Sequence, residues 1–345
     1  MTMLEFAAVS HEYPVSAGAS LGRPAFRALD DVSFGIGPGE SLGLVGESGS
    51  GKSTIARLAV GLLQATQGTI TLGGKPLQHL RGRMLREARR SVGFVFQDPY
   101  ASLNPRQQIG TALELPLRVH TSERSTAIRR RVLELLDRVG LTPADHYLYR
   151  FPHQLSGGQR QRVAIARAIA LRPRLVIADE PVASLDVSIA GQILNLLREV
   201  SRELGSSLLF ISHDLGLVRA MCERTIVLSG GRLVEAGPTM DVLSAPVHPY
   251  TQLLLASMPE TLQLNAIDPA EPVREDAAEA CPFLARCRYA TDRCRAMPPP
   301  QTVGAAHTVR CWLTEADEPA AGWLAAGGRG ATGVIQRGVE CDRTP

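Results

Sequence analysis

The sequence predicts an α/β fold with a mixed or parallel sheet core, an inserted helical subdomain and a small cysteine-containing C-terminal extension. Over residues 1–240, short apolar runs typical of strands alternate with helical segments and turns. At about 98–170 the apolar residues follow a helical period instead, which predicts the inserted subdomain. Residues 241–312 form a Pro-rich, turn-rich extension with four cysteines, and residues 313–345 are Gly/Ala-rich without periodicity, which favours a flexible tail.

The composition is that of an ordinary globular protein. The 345 residues are 44% apolar and 21% charged, and the net charge is +3. This length is enough for two domains, and this charge argues neither for nor against nucleic acid. No run approaches 18 apolar residues, and the N-terminus lacks a basic-then-apolar signal pattern, so we expect no export and only a peripheral membrane role.

The chemistry of the chain begins with a phosphate-binding loop. Residues 46–53 fit the pattern G-x-x-x-x-G-K-[ST], between a predicted strand at 41–45 and a predicted helix at 54–63. Such a loop directs backbone N–H groups and a helix N-terminus at phosphates, while its lysine neutralises the outer phosphates and its serine ligates Mg²⁺. The nucleotide-binding residues predicted here are Gly46, Ser48, Gly49, Gly51, Lys52, Ser53 and Thr54.

An aromatic residue precedes this loop in the first predicted turn region. Tyr13 lies where a ring can stack on a nucleotide base, and Phe26 competes for the same role. Taken alone, an exposed loop tyrosine has no such role, so both readings stay open.

Two adjacent acids end a predicted buried strand at 175–178. Because neighbouring strand residues point to opposite sides, Asp179 is assigned to Mg²⁺ and Glu180 to the attacking water. The alternative is a pair of solvated acids after a strand.

Two more polar residues follow predicted strands. Gln97 follows the strand at 91–96 and His213 comes shortly after the strand at 207–211, at the sheet edge where ligands bind in α/β folds. Gln97 is a candidate for Mg²⁺ or water, and His213 for the γ-phosphate or the water. A turn-capping glutamine and an incidental helix cap are the alternatives.

A second glycine-containing stretch predicts another anion site. Ser156 is a natural N-cap, and Gly157, Gly158 and Gln159 open a helix to which a ligand can come close. The alternative is a capped hinge. Asp186 opens a further helix.

Five pieces in one order resemble the nucleotide-binding subunit of an ATP-binding cassette (ABC) transporter, over residues 1 to about 240. They are residues 46–53, Gln97, residues 155–159, Asp179-Glu180 and His213. The resemblance implies a P-loop NTPase cassette that hydrolyses ATP with Mg²⁺ held by Ser53, Gln97 and Asp179.

The resemblance also implies roles for single residues. Tyr13 would stack on adenine, Glu180 would be the general base and His213 would contact the γ-phosphate. Gln97 would link Mg²⁺ to a transmembrane partner, and Asp186 would lie in a dimer-contact loop. Lys52 would act on the phosphates, and the site at 156–159 would complete the ATP site of a partner subunit. Ala183-Ser184 departs from near relatives, which often have Ser-Ala.

Two stretches narrow the resemblance to the oligopeptide/dipeptide and nickel uptake branch. Residues 97–106 are one, and His248-Pro249-Tyr250-Thr251 with Leu254 and Pro259 are the other. This branch implies two transmembrane permease subunits, a second ABC ATPase in a head-to-tail dimer and, indirectly, an extracytoplasmic solute-binding protein. It places the chain at the cytoplasmic face of the inner membrane, with no nucleic-acid partner.

Four cysteines of the extension stand at C-x5-C-x6-C-x16-C: Cys281, Cys287, Cys294 and Cys311. The stretch lacks the apolar periodicity for its own core, which favours a stabilising metal centre. Zinc, reduced thiols and disulfides stay open, although the close pairs usual for zinc are absent. The family implies a [4Fe–4S] cluster. Cys222 and Cys341 fall outside the spacing and are expected to be free.

The expected function is therefore an ATPase subunit that energises an ABC importer for oligopeptides or dipeptides. A soluble ABC ATPase acting on nucleic acid or ribosomes shares every catalytic motif and is the alternative. A plain soluble P-loop NTPase leaves the stretch at 156–159 unexplained. The sequence does not specify the transported solute, nor whether the dimer pairs identical or different ATPases.

Overall fold

The computed structural model describes residues 2–14, 26–257, 279–304 and 306–315. The strands are β1 (Leu4–Tyr13), β2 (Phe26–Ile36), β3 (Ser41–Val45), β4 (Gln67–Leu72), β5 (Lys75–Pro76), β6 (Val92–Val95), β7 (Leu175–Asp179), β8 (Ser207–Ser212), β9 (Arg224–Ser229), β10 (Arg232–Pro238), β11 (Gln301–Thr302) and β12 (Thr308–Val309). The helices are α1 (Lys52–Ala59), α2 (Gly82–Arg90), α3 (Pro99–Ser102), α4 (Ile109–His120), α5 (Ser125–Arg138), α6 (Ala144–Leu148), α7 (Gly157–Ile169), α8 (Val187–Leu204), α9 (Leu215–Met221), α10 (Thr239–Ser244) and α11 (Pro249–Ala256).

The strands form two sheets. The larger sheet has the order β11-β12-β10-β9-β3-β8-β7-β6, with parallel pairing from β9 through β3, β8 and β7 to β6 and antiparallel pairing at the other end. The smaller sheet is antiparallel, in the order β2-β1-β4-β5. The predicted α/β class with a mixed sheet is confirmed.

The central strands separate two apolar clusters. Leu175 and Ile177 pack with the smaller sheet and α1, whereas Val176 and Ala178 of the same strand pack with the helices on the other side. Successive residues of a strand point to opposite faces, so a strand covered on both sides is apolar throughout. These buried strands hold their carboxyl ends in fixed positions at one edge of the sheet.

Helices α3 to α7 occupy the stretch predicted to be helical. The predicted stripe lies inward: Ile128, Val132, Leu135, Leu136 and Val139 are all buried in one cluster. Within the described residues, no helix is both long enough and apolar enough to cross a bilayer.

Helix α1 begins and ends earlier than the predicted helix at 54–63. It covers Lys52–Ala59, because Gly61 takes a left-handed φ of 68° beyond its C-cap. The N–H of Leu62 donates to the carbonyl of Arg57 and that of Gly61 to Leu58, which closes the helix end as glycine commonly does.

The C-terminal extension packs onto the large sheet. Its strand β12 pairs with β10, and the side chain of His307 lies 2.8 Å from the buried carboxylate of Glu235. Arg310 donates to Asp31 across 3.0 Å, which ties the extension to β2 as well. The extension therefore adds two strands to the sheet that carries the phosphate-binding loop.

Candidate functional site

The phosphate-binding loop leaves the carboxyl end of β3 and enters α1. Gly46 has φ 156° and Gly51 has φ 109°. A Cβ at Gly46 would lie 2.2 Å from the carbonyl oxygen of Leu228, and one at Gly51 would lie 2.8 Å from that of Ala28. Both positions thus require glycine, since the loop runs against the backbone of neighbouring strands.

Lys52 is folded back over this loop. Its Nζ donates to the carbonyl oxygens of Gly46, at 2.7 Å, and Glu47, at 2.8 Å. The side chain is buried, and this burial lowers the pKa of Lys52 from its ordinary value. The carboxylates of Glu180, Asp179 and Glu47 act in the opposite direction and favour the charged ammonium group, which is well placed to contact an anionic ligand.

Asp179 lies buried at the end of β7, close enough to Ser53 for the serine side chain to act to lower its pKa. Burial, more than any neighbouring charge, raises the pKa of Asp179. A serine hydroxyl beside a carboxylate is the oxygen-donor set that Mg²⁺ prefers, so these two residues fit the ion that the fold family implies.

Glu180, the next residue, contacts side chains that follow two other strands. Its φ is 45°, in the left-handed region. The amide nitrogen of Gln97 donates to Glu180 Oε2 at 2.9 Å, and His213 Nδ1 lies 3.3 Å from Glu180 Oε1. Three polar residues that follow β6, β7 and β8 thus meet at one edge, as parallel strands allow.

The phosphate-binding loop, Gln97, Glu180 and His213 line one open cavity of about 690 Å³, whereas Asp179 and Tyr13 do not line it. Most of the predicted site residues contribute to it: Gly46, Ser48, Gly49, Gly51, Lys52, Ser53, Thr54, Gln97, Glu180 and His213. Phe26, the competing aromatic candidate, also lines the cavity. The rest of its wall was not predicted as part of the site and is formed by Ala28, Glu47, Leu254 and Ser257.

The two aromatic candidates for stacking on the base lie next to each other, near the phosphate-binding loop. Tyr13 and Phe26 are partners in the β1–β2 register. The Tyr13 hydroxyl lies 3.2 Å from Thr54 Oγ1, whereas the Phe26 ring is 63% exposed and lines the cavity. The sequence analysis left both residues open as candidates, and both rings lie next to the site.

The second predicted anion site lies apart from this cavity. Ser156 caps α7: its Oγ accepts from the N–H of Gln159 at 3.3 Å, and its own N–H donates to Gln159 Oε1 at 3.0 Å. Gly158 is required because a Cβ there would lie 2.7 Å from Ile189. Asp186, at the start of α8, is exposed. In the described chain, the residues at 156–159 and Asp186 do not border the phosphate-loop cavity.

The four cysteines of the extension line a cavity of about 170 Å³. Backbone N–H groups of Phe283, Tyr289 and Leu313 act to lower the pKa of Cys281, Cys287 and Cys311, respectively, but burial outweighs them. Burial raises the pKa of the Cys281 thiol to about 11 and that of Cys311 to about 12.

The sulfurs surround this space without meeting at one point. Among the described residues, no three His, Cys, Asp or Glu side chains converge on a single ion. Cys222 is buried in the main core, and Cys341 lies outside the described residues.

Comparisons with known proteins agree with this geometry. The profile of the ABC transporter family matches residues 29–183, and that of the oligopeptide/dipeptide transporter C-terminal region matches residues 234–294. A protein of Brucella abortus (strain 2308) assigned as a peptide import ATP-binding protein is 47% identical over 296 residues, covering 85% of this chain and 88% of that protein. A glutathione import ATP-binding protein of Salmonella typhi is 48% identical over 232 residues, covering 67% of this chain and 37% of that protein.

Solved structures give the same fold. The ATP-binding cassette MJ0796, in a dimeric post-hydrolysis state with ADP and Pi, aligns with a TM-score of 0.61 and 32% identity, covering 69% of this chain and 99% of that chain. CbiO1 of Clostridium perfringens, part of the transporter complex cbiONQ, aligns with a TM-score of 0.61 and 29% identity, covering 71% of this chain and 91% of that chain.

Proposed function

The chain belongs to the ATP-binding proteins of the ABC transporter family, and from that premise we propose that it hydrolyses ATP to drive the import of oligopeptides or dipeptides. The proposed substrate class rests on residues 234–294, which match the oligopeptide/dipeptide transporter C-terminal region. Arg286 in this segment contacts Glu47 of the phosphate-binding loop. The peptide and glutathione import assigned to the relatives supports the same class.

Roles for single residues follow from the geometry and the family. Hydrolysis of a γ-phosphate mainly requires positioning and charge neutralisation. In our proposal the loop N–H groups and Lys52 hold the phosphates, and Glu180 orients and deprotonates the attacking water. Gln97 and His213 each engage one oxygen of Glu180, which supports a role for both in fixing that carboxylate.

Mg²⁺ would be held by Ser53 and Asp179, with Gln97 beside them. When bound, the ion supplies positive charge between phosphate oxygens. The proximity of the Ser53 and Asp179 side chains supports this assignment. The amide nitrogen of Gln97 donates to Glu180, which leaves the amide oxygen for the ion or for the attacking water.

The stretch at 156–159 is proposed to complete the ATP site of a second ABC ATPase, with Asp186 near the contact between the two subunits. Ser156, Gly157 and Asp186 are accessible and lie away from the cavity of their own chain, which supports a role in a neighbour's site. The dimeric state named for the similar cassette MJ0796 supports the same assembly.

Tyr13 or Phe26 would contact the adenine.

The remaining partners follow from the importer class. We infer two transmembrane permease subunits, with an extracytoplasmic solute-binding protein acting through them, and a peripheral location at the cytoplasmic face of the inner membrane. The partner ATPase is a paralogue or a second copy of this chain. The nucleic-acid alternative is not favoured, since the relatives found are import proteins.

The four cysteines are proposed to hold a [4Fe–4S] cluster. Cys281, Cys287, Cys294 and Cys311 all line one cavity, and nearby backbone N–H groups favour the thiolate form of three of them. Such donors stabilise the negative charge of metal-bound sulfurs. The cluster would tie together a segment that has little apolar core of its own.

The proposed function is tested by purifying the tagged chain from membranes and identifying its partners. We expect two permeases to accompany it, and the ATPase of the complex to rise with a peptide-loaded binding protein. Stimulation by DNA or RNA instead, with no permease present, would support the soluble alternative.

A further inference from the structure

Glu47, the second residue of the phosphate-binding loop, is held at three points. Its N–H donates to the Tyr250 hydroxyl oxygen at 2.8 Å, and its carbonyl oxygen accepts from Lys52 Nζ at 2.8 Å. Its carboxylate accepts two hydrogen bonds from Arg286, at 2.7 and 2.9 Å. Such a bidentate pair fixes orientation as well as charge.

Two of the three partners come from beyond residue 240. Tyr250 belongs to α11 and is buried, and Arg286 directly precedes Cys287 in the extension. The Phe283 ring connects them, because it lies 5.4 Å from the Tyr250 ring and 5.4 Å from the Arg286 guanidinium. The loop is thus held by one packed unit outside the ATPase motifs.

The charge of Glu47 makes this contact relevant to ATP. Glu47 and Lys52 line the same cavity, so an unpaired carboxylate at this place would repel phosphates. Arg286 supplies the compensating charge and draws the carboxylate toward the extension. The Tyr250 hydroxyl remains protonated at neutral pH, since burial raises its pKa to about 12.

We propose that Arg286 and Tyr250 are positioning residues for ATP: through Glu47, the C-terminal extension sets the conformation and charge of the phosphate-binding loop. This inference rests on the ATP reaction of the family and not on the transported solute. It accounts for the position of the C-terminal extension beside the phosphate-binding loop, from which it is distant in sequence.

The test measures the equilibrium affinity of the full-length chain for ATP, with a fluorescent ATP analogue as displaced probe. Arg286→Ala is expected to weaken ATP binding roughly tenfold, the order of effect of one uncompensated charge near a phosphate site. Adding Glu47→Gln to Arg286→Ala is expected to restore most of the affinity, because it removes the repelling charge. Tyr250→Phe keeps the ring packing and is expected to weaken binding a fewfold.

A matched control is Arg310→Ala. The Arg310–Asp31 pair also joins the extension to the large domain, but neither residue lines the ATP cavity. The control is expected to retain wild-type affinity. The inference is overturned if Arg286→Ala leaves the affinity unchanged, if Arg310→Ala weakens it equally, or if the double variant is no better than Arg286→Ala. If the wild-type protein binds ATP and Arg286→Ala binds it equally well, this inference is wrong, whereas the ATPase assignment is unaffected.

Discussion

Glu180 and Asp179 are adjacent in the chain, yet each has its own environment. Asp179 is buried against Ser53, whereas Glu180, at φ 45°, places its two oxygens next to Gln97 and His213. Two carboxylates in different surroundings can divide metal binding and water activation between them. The alternation of a strand predicts opposite directions for these residues, but the left-handed turn at Glu180 has no sequence signal.

The Glu180→Gln variant tests the proposed base. The amide retains the size of the side chain but cannot take a proton, so hydrolysis is expected to fall by about two to four orders of magnitude. ATP affinity is expected to stay within about threefold of wild type, as measured by nucleotide binding alongside phosphate release. Glu134→Gln, on the exposed face of α5, serves as a control. Near-normal turnover in Glu180→Gln would reject the assignment.

At the scale of elements, Glu235 joins the end of the cassette to the extension. Its buried carboxylate accepts from the N–H groups of Val247, at 2.7 Å, and His248, at 3.1 Å, and lies 2.8 Å from His307 Nε2. A buried carboxylate is tolerable only with such partners. One side chain of β10 therefore fixes both the entry to α11 and the strand β12.

Replacing Glu235 with alanine is expected to lower the free energy of unfolding by about 3–5 kcal/mol, because three polar partners lose their acceptor in the interior. Urea unfolding of the purified chain measures this change. Glu203→Ala removes the partially exposed pair with Arg138 and is expected to cost no more than about 1 kcal/mol. Equal effects of the two substitutions would contradict the importance given to Glu235.

The cysteine-lined module makes a direct spectroscopic prediction. Protein purified without oxygen is expected to be brown, to absorb near roughly 400 nm and to contain about four irons per chain. Cys294→Ser is expected to remove the absorption, because the cavity then lacks one of its four thiols. A colourless protein with stoichiometric zinc would reject the cluster.

Local patterns predicted most of the cassette. The predicted strand at 41–45 coincides with β3, and the phosphate-binding loop follows it as predicted. The apolar residues of α5 are buried, as their helical period predicts. Contacts between distant residues were not predicted: the Glu47–Arg286 pair spans 239 positions and the Glu235–His307 pair spans 72. Such pairs leave no periodic pattern in the sequence. The extension and its four cysteines were therefore predicted, but its contact with the phosphate-binding loop was not.

At the scale of the whole molecule, the large sheet carries both the ATP loop and the extension. The phosphate-binding loop follows β3 near its centre, and β11 and β12 add to its edge. The Ser156–Gln159 stretch lies on the helical side, away from this chain's own cavity. In our proposal, the molecule carries one half of an ATP site in this cavity and the complementary half elsewhere on its surface.

Uptake of a labelled peptide into vesicles containing the complete reconstituted transporter tests the central claim most directly. ATP and the binding protein are supplied on the sides that correspond to the cytoplasm and the cell exterior, respectively. We predict peptide accumulation that depends on ATP and is lost with Glu180→Gln in this chain. Peptide accumulation that is equal with and without ATP, or none at all with an active ATPase, would contradict the account.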